Sequence, residues 1–281
     1  MKPKRILVTG AAGKVARSIR LQLATLCDEL RLTDIVPLEA TGPNQSAVVA
    51  DLADPDAVGA LVEGVDAIVH FAGYPREAAW PVLLDANIRS VINLWEAAAR
   101  AGVNRILYAS SNHAVGYYPR TAHIDTRMPP RPDSRYGATK VFMEAIAQLY
   151  ADKMGLRAYG MRIGYTGPVP LDKRMLCHWL HPEDLAQLIE VGLQADYHHE
   201  IVYGVSGNSA TWYDNSRAEA LGYRPRHSAD IFTEQLVGKV TDNPVAEFYQ
   251  GGSFAADGHT GDVERPALDV PLCMAKCCEA T

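Results

Sequence analysis

Val8-Thr9-Gly10-Ala11-Ala12-Gly13-Lys14-Val15-Ala16 decides the fold. An apolar run, Arg5–Val8, ends at Thr9-Gly10, and a helix-periodic stretch, Lys14–Leu26, follows at once. Gly10 permits a tight turn. Gly13 lets the backbone approach a pyrophosphate at a helix N-terminus, where free N–H groups and the helix dipole favour anions. Ala16 stands where a third glycine is usual, and it is small enough for helix and strand to pack. Ala12, Lys14 and Val15 belong to the same turn and are expected beside a bound dinucleotide. Glycine-rich turns after strands are common; this one carries weight because it joins a strand to a helix in a βαβ unit.

The same alternation continues outward. Strands are expected at Leu30–Thr33, Ala47–Ala50, Ala67–Phe71, Arg105–Ala109 and Arg157–Ile163. Helices are expected from Asp54 to Val62, over Trp80–Ala101 and over Tyr136–Met154. Strands separated by helices of this length predict an α/β, Rossmann-type doubly wound parallel sheet, buried on both faces. After Gly164 the prolines Pro168, Pro170 and Pro182 loosen the pattern, leaving a helix at His181–Gln194 and a strand at Ile201–Val205. One domain is expected over residues 1–254, with a cofactor part to about 163 and a small C-terminal substrate-side cap over 164–254. A disordered or loosely packed tail is expected over 255–281.

Composition agrees with an ordinary globular protein: 281 residues, 48% hydrophobic, 21% charged, with a formal net charge of -6. No basic face for nucleic acid is indicated, so a small-molecule partner is expected. No apolar run approaches the roughly 20 residues that span a bilayer, and the N-terminus lacks a signal-peptide pattern, so the reading is cytoplasmic. The five cysteines lack framework spacing. Cys273, Cys277 and Cys278 read as free thiols in the tail rather than a metal site, and no metal is expected.

Asp34 ends the second strand about 20 residues after the glycine turn. Its carboxylate suits both adenosine ribose hydroxyls and repels a 2′-phosphate, which favours NAD over NADP. Ile35 follows it. Asp51-Leu52 ends the third strand, either bordering the adenine or capping the next helix. Phe71-Ala72-Gly73 ends the fourth strand on the same sheet edge, with small residues that let backbone pass close to a cofactor.

Tyr136-Gly137-Ala138-Thr139-Lys140 places a tyrosine and a lysine four apart on one helical face. A nearby ammonium, with the charge of an oxidised nicotinamide, is expected to lower the Tyr136 pKa so that it acts as the base. Ser111, just past the fifth strand, is placed to hold the reacting oxygen.

With these residues the chain resembles the extended short-chain dehydrogenase/reductases. Ala109-Ser110-Ser111-Asn112-His113-Ala114-Val115-Gly116-Tyr117-Tyr118-Pro119 is similar to the signature of uronate dehydrogenases, as are Arg162-Ile163-Gly164, Arg174-Met175-Leu176, Trp212-Tyr213-Asp214-Asn215-Ser216 and Gln250-Gly251-Gly252. The resemblance implies NAD-dependent oxidation of a hexuronate at C1 to an aldarolactone. It implies Tyr136, Lys140 and Ser111 as the catalytic group, and Ile163 beside the cofactor. It implies sugar contacts from Ser111, Asn112 and His113, and a C6 carboxylate held by Arg174. Two positions depart from the family pattern: Pro75 and Tyr165 stand where serines are expected at the sugar. The stretch Gly73–Trp80 is also similar to short-chain-type NAD-dependent glucose-6-phosphate dehydrogenases. Arg76 is then either a second cation for a 6-phosphate or 6-sulfonate, or a solvated rim residue. Two other classes share the fold pattern: nucleotide-sugar epimerases or dehydratases, and non-enzymatic NAD-binding regulators. The first usually carry an acidic pair after a threonine where this chain has Ser111-Asn112-His113; the second usually lose Tyr136 or Lys140. The resemblance also implies a homo-oligomer.

Overall fold

The computed structural model describes residues 2–264. Its strands are β1 (Arg5–Thr9), β2 (Glu29–Asp34), β3 (Gln45–Val49), β4 (Ala67–His70), β5 (Arg105–Ser111), β6 (Arg157–Ile163), the two-residue pair β7 (Tyr165–Thr166) and β8 (Trp179–Leu180), and β9 (His199–Gly204). Seven of them form one parallel sheet in the order β3-β2-β1-β4-β5-β6-β9. The chain winds outward from β1 to β3, then crosses back to place β4 on the other side of β1. That reversal opens a crevice at the carboxyl ends of β1 and β4, where ligands of such sheets bind.

The strands are apolar runs because both faces are covered. On one face α1 (Lys14–Thr25) packs beside a later helix, α7 (Pro182–Gln194), around Ile6, Val8, Leu30, Leu107 and Ile189. On the other, α2 (Pro55–Val62), α4 (Ser90–Arg100) and α5 (Arg135–Met154) cover Leu7, Ile68 and Ile106, with Trp95 of α4 packed among them. Asp54 caps α2 as its sequence suggests, accepting from the Asp56 and Ala57 amides.

Three details depart from the sequence reading. The helix expected over Trp80–Ala101 is interrupted: α3 (Trp80–Leu83) runs into a π-helical turn, Leu84–Arg89, before α4. That turn carries Asn87, buried beneath the loop after β4. Its side chain accepts from the Tyr74 amide at 2.6 Å and donates to the Tyr74 carbonyl and to Thr139 Oγ1. Second, residues 164–254 are more than a cap, since α7 and β9 complete a helix layer and the sheet edge. Helix α8 (Ser216–Ala220) also puts Ala218 into the core that α1 and α7 cover, whereas α6 (Met175–His178) and α9 (Pro244–Phe248) pack in small clusters outside it. Third, the chain stays packed past Phe254. Helix α10 (Ser253–Ala256) buries Ala255, and the Tyr249 hydroxyl donates to the Val263 carbonyl. The apolar side chains Val245, Tyr249 and Ala255 form a small core of their own, which the composition of this stretch conceals. Cys273, Cys277 and Cys278 lie outside the described residues. Among the described residues no helix is long and apolar enough to cross a membrane.

Candidate active site

Two adjoining clefts lie along the carboxyl edge of the sheet. The larger, about 810 Å³, is lined by the β1–α1 turn, the ends of β2 and β4, and Asp51 and Leu52. The smaller, about 360 Å³, is lined by the ends of β5 and β6, the start of α5 and parts of α6 and α10. Val15, Phe71, Gly73, Tyr74 and Pro75 line both.

In the larger cleft Gly10 has φ +68°. A Cβ there would fall 2.6 Å from the Ala72 amide, so glycine is required both for the turn and for the close passage of the β4 loop. Gly13 precedes α1, which has no side-chain cap and no acidic residue in its first turn. Its first N–H groups therefore remain for an external anion. One carboxylate oxygen of Asp34 accepts from the Ala12 amide at 2.9 Å and the other from Ile35 at 2.8 Å. The acid is thereby held at the lip of the cleft. A bare helix N-terminus, a tethered carboxylate 22 residues after Ala12 and a groove between them fit NAD. Beneath the groove, buried His70 meets Thr9 Oγ1 through Nδ1 at 2.7 Å and joins the ends of β4 and β1. Burial, and secondarily the Lys140 charge, pulls its pKa down to about 3.

In the smaller cleft the start of α5 delivers Tyr136 and Lys140. Ser134 caps this helix by accepting from the Gly137 amide at 2.9 Å. A Cβ on Gly137 would fall 2.3 Å from the His113 carbonyl, so the glycine after Tyr136 lets α5 lie against the Asn112–Ala114 turn. The Lys140 ammonium donates to the Ala109 carbonyl at 2.8 Å. Burial lowers the Lys140 pKa to about 8, while Glu144, one turn further on, opposes that shift. Glu144 is itself held by Ser110 at 2.6 Å and by two bonds from Arg162 at 2.9 Å.

The expected lowering of the Tyr136 pKa does not occur in the protein alone. Burial pushes the phenol up to about 12, a hydrogen bond with Ser111 opposes this, and the Asp133 charge adds to it. Desolvation dominates, and the Lys140 ammonium is turned toward the β5 carbonyl.

Ser111, Asn112, His113, Tyr165, Arg174, Ile163 and Pro75 line this cleft with Tyr136 and Lys140. Arg174 donates to the Gln250 carbonyl at 2.6 Å, and among the described residues no carboxylate lies within ion-pairing distance of it. Burial lowers its pKa, outweighing the opposing charge of Asp172. Arg76 is not brought to the site: it is exposed on the loop after β4 and lines neither cleft.

The structure adds residues that sequence patterns did not single out. Phe254 lines the cleft and stacks on His113 with ring centroids 3.9 Å apart. Asp133 meets His113 Nδ1 at 2.7 Å. His178, also lining the cleft, accepts the Tyr165 amide on Nδ1 and leaves Nε2 without a partner among the described residues. Ser134 before an apolar helix was a readable cap signal one residue from Asp133; nothing local marks Phe254 or His178.

The family model described as the NAD dependent epimerase/dehydratase family matches residues 6–168. The uronate dehydrogenase of Pseudomonas putida is 45% identical over 259 residues, covering 90% of this chain and 96% of that protein. An NAD-dependent glucose-6-phosphate dehydrogenase of Haloferax volcanii is 35% identical, covering 81% of this chain and 95% of that one. The crystal structure of a glucuronic acid dehydrogenase from Chromohalobacter salexigens superposes with a TM-score of 0.88 at 44% identity, covering 92% of this chain and 98% of that one. This chain belongs to the NAD dependent epimerase/dehydratase family, within its uronate dehydrogenase branch.

Proposed function

We propose that this oxidoreductase converts a hexuronate to its aldarolactone by NAD-dependent oxidation at C1. One observation carries the substrate: the cleft that holds Tyr136, Ser111 and Lys140 also holds Arg174, a desolvated guanidinium with no carboxylate in ion-pairing distance among the described residues. At about 360 Å³ this cleft suits one sugar ring better than a nucleotide sugar.

The glycine turn, Asp34 and the α1 N-terminus hold the cofactor, with Asp51, Leu52, Phe71 and Ala72 along its groove and Ile163 toward the sugar cleft. When bound, NAD supplies the hydride acceptor. Tyr136 takes the proton of the C1 hydroxyl as base, and Ser111 orients that oxygen. Lys140 keeps a positive charge beside the phenol, 5.4 Å from the ring centre, which favours the phenolate once the site is loaded. Asn112 and His113 meet ring hydroxyls. Arg174 pairs with the planar C6 carboxylate and so sets C1 toward Tyr136. Pro75 and Tyr165 line the wall where the family's serines are replaced. With Arg76 exposed, the cleft has no second arginine for a phosphate dianion among the described residues, which favours a carboxylate. We also place the enzyme in the cytoplasm, where its free thiols Cys27 and Cys177 persist, and as a homo-oligomer.

Purified protein with NAD, offered glucuronate, galacturonate, glucose 6-phosphate and sulfoquinovose, tests this reading by NADH appearance. The uronates should give the highest kcat/KM. Faster turnover of a phosphate or sulfonate sugar overturns the substrate, and no turnover of any overturns the reading.

A further inference from the structure

Gly116 and Gly251 belong to signature stretches that are far apart in sequence, and the reaction as described uses neither. Both face one carboxylate. A Cβ on Gly116 would fall 1.8 Å from Asp133 Oδ2, and one on Gly251 would fall 1.9 Å from the same atom. Neither glycine has a positive φ, so what they supply is room. The room is filled by a side chain with 0% exposure. Inside this slot Oδ1 accepts from Ser134 Oγ at 2.8 Å, and Oδ2 meets His113 Nδ1 at 2.7 Å. The Asp133 amide also donates to the His113 carbonyl at 3.3 Å.

A carboxylate in this position accepts, so Nδ1 is the nitrogen that carries the proton. The neutral ring then keeps its lone pair on Nε2. Two further contacts fix the ring plane: Phe254 stacks at an interplanar angle of 22°, and Tyr136 meets the ring at 71° with centroids 5.9 Å apart.

We propose that Asp133 is a positioning residue that holds His113 as the Nδ1–H tautomer and so presents Nε2 to the sugar as a hydrogen-bond acceptor for a hydroxyl. The role rests on the reading that His113 meets the substrate. It explains why two glycines from opposite ends of the site close on one acid: the slot admits Asp133 in one orientation, and that orientation sets the imidazole.

The test begins with the wild-type protein labelled with ¹⁵N-histidine at mildly alkaline pH. Long-range ¹H–¹⁵N spectra, with His113 assigned by its loss in His113→Gln, should show a protonated Nδ1 and a bare Nε2. Asp133→Asn lets an amide N–H face Nδ1 and favours the other tautomer. It should lower kcat/KM for the hexuronate on the order of ten- to a hundred-fold, chiefly through KM, with the NAD dissociation constant unchanged. In the His113→Gln background the same substitution should cost less than about two-fold. An Nε2–H tautomer in the wild type, or an equal cost of Asp133→Asn in both backgrounds, overturns the proposal. If the variant does not fold, the wild-type spectrum still decides. If no hexuronate is turned over, the substrate reading fails, and the spectrum tests the tautomer independently.

Discussion

The Lys140 ammonium donates to the Ala109 carbonyl at 2.8 Å and stands 5.4 Å from the centre of the Tyr136 ring. The bond ties α5 to the end of β5, and with it Tyr136 to Ser111. The pair that marks the chemistry in sequence is therefore also a joint between helix and sheet. Tyr136→Phe should lower kcat about a thousand-fold, within the range for loss of a general base, while NAD binding stays within a factor of two or so. Steady-state kinetics with a fluorescence titration of NAD checks both halves. A variant retaining a tenth of the activity would remove Tyr136 from the role of base.

Lys140→Met should cost a similar factor, and Lys140→Arg should not restore it. The ammonium sits in a buried slot with a single carbonyl to meet, and a planar guanidinium neither fits nor points its donors there. Substantial rescue by arginine, read from kcat, would mean that charge alone suffices.

Asp34 holds its carboxylate by two backbone amides at the lip of the larger cleft. Replacing it with serine together with Ile35→Arg should raise KM for NAD ten-fold or more and bring NADP into use, because the repelling charge goes and a 2′-phosphate partner arrives. Paired KM values for the two cofactors decide. Unchanged preference would mean that the ribose is read elsewhere.

Arg174→Lys should raise KM for a hexuronate roughly ten- to a hundred-fold with a smaller change in kcat. A lysine keeps the charge and loses the bidentate geometry. The variant should discriminate less between glucuronate and glucose. Competition assays with the two sugars would expose the opposite result, an unaltered preference, which would place the carboxylate away from Arg174.

His70 makes stability depend on acid. Its folded pKa of about 3 lies below its ordinary 6.5, so the folded state resists protonating it. The contribution is fully present above pH 6.5 and is lost as pH falls toward 3. At about 1.4 kcal/mol per pKa unit it amounts to roughly 5 kcal/mol. Buried His178, also lowered by desolvation, acts in the same direction. Urea midpoints measured from pH 7 to pH 4 should fall steadily, and more shallowly in His70→Gln. Identical slopes in the two proteins would show that other groups govern the acid limb.

Much of the fold was legible because it rests on local rules. Apolar runs separated by amphipathic stretches have one economical burial, a parallel sheet covered on both faces. The π-turn at Leu84–Arg89 was not legible, because Asn87 is buried there by contacts with Tyr74 and Thr139, residues from two other segments. The packed segment after Phe254 was missed for a related reason. Its polar and glycine-rich composition reads as loose, and its anchors, Tyr117 and Tyr249, lie outside it.

By itself the sequence determined the dinucleotide turn, the acidic end of β2 and the Tyr136–Lys140 spacing, since each is a short pattern whose chemistry is complete within a few residues. Only the tertiary structure decided how the walls of the smaller cleft come together. Ser111 and His113, then Arg174, then Phe254 come from three separate segments that line it, with Asp133 and Gly251 behind them, and long-range packing brings them together. The same packing decided that Arg76 stays in water and that the Tyr136 phenol is desolvated. The physical reason is that burial is a property of the whole fold, and burial here sets both the charge and the aim of the groups in the smaller cleft.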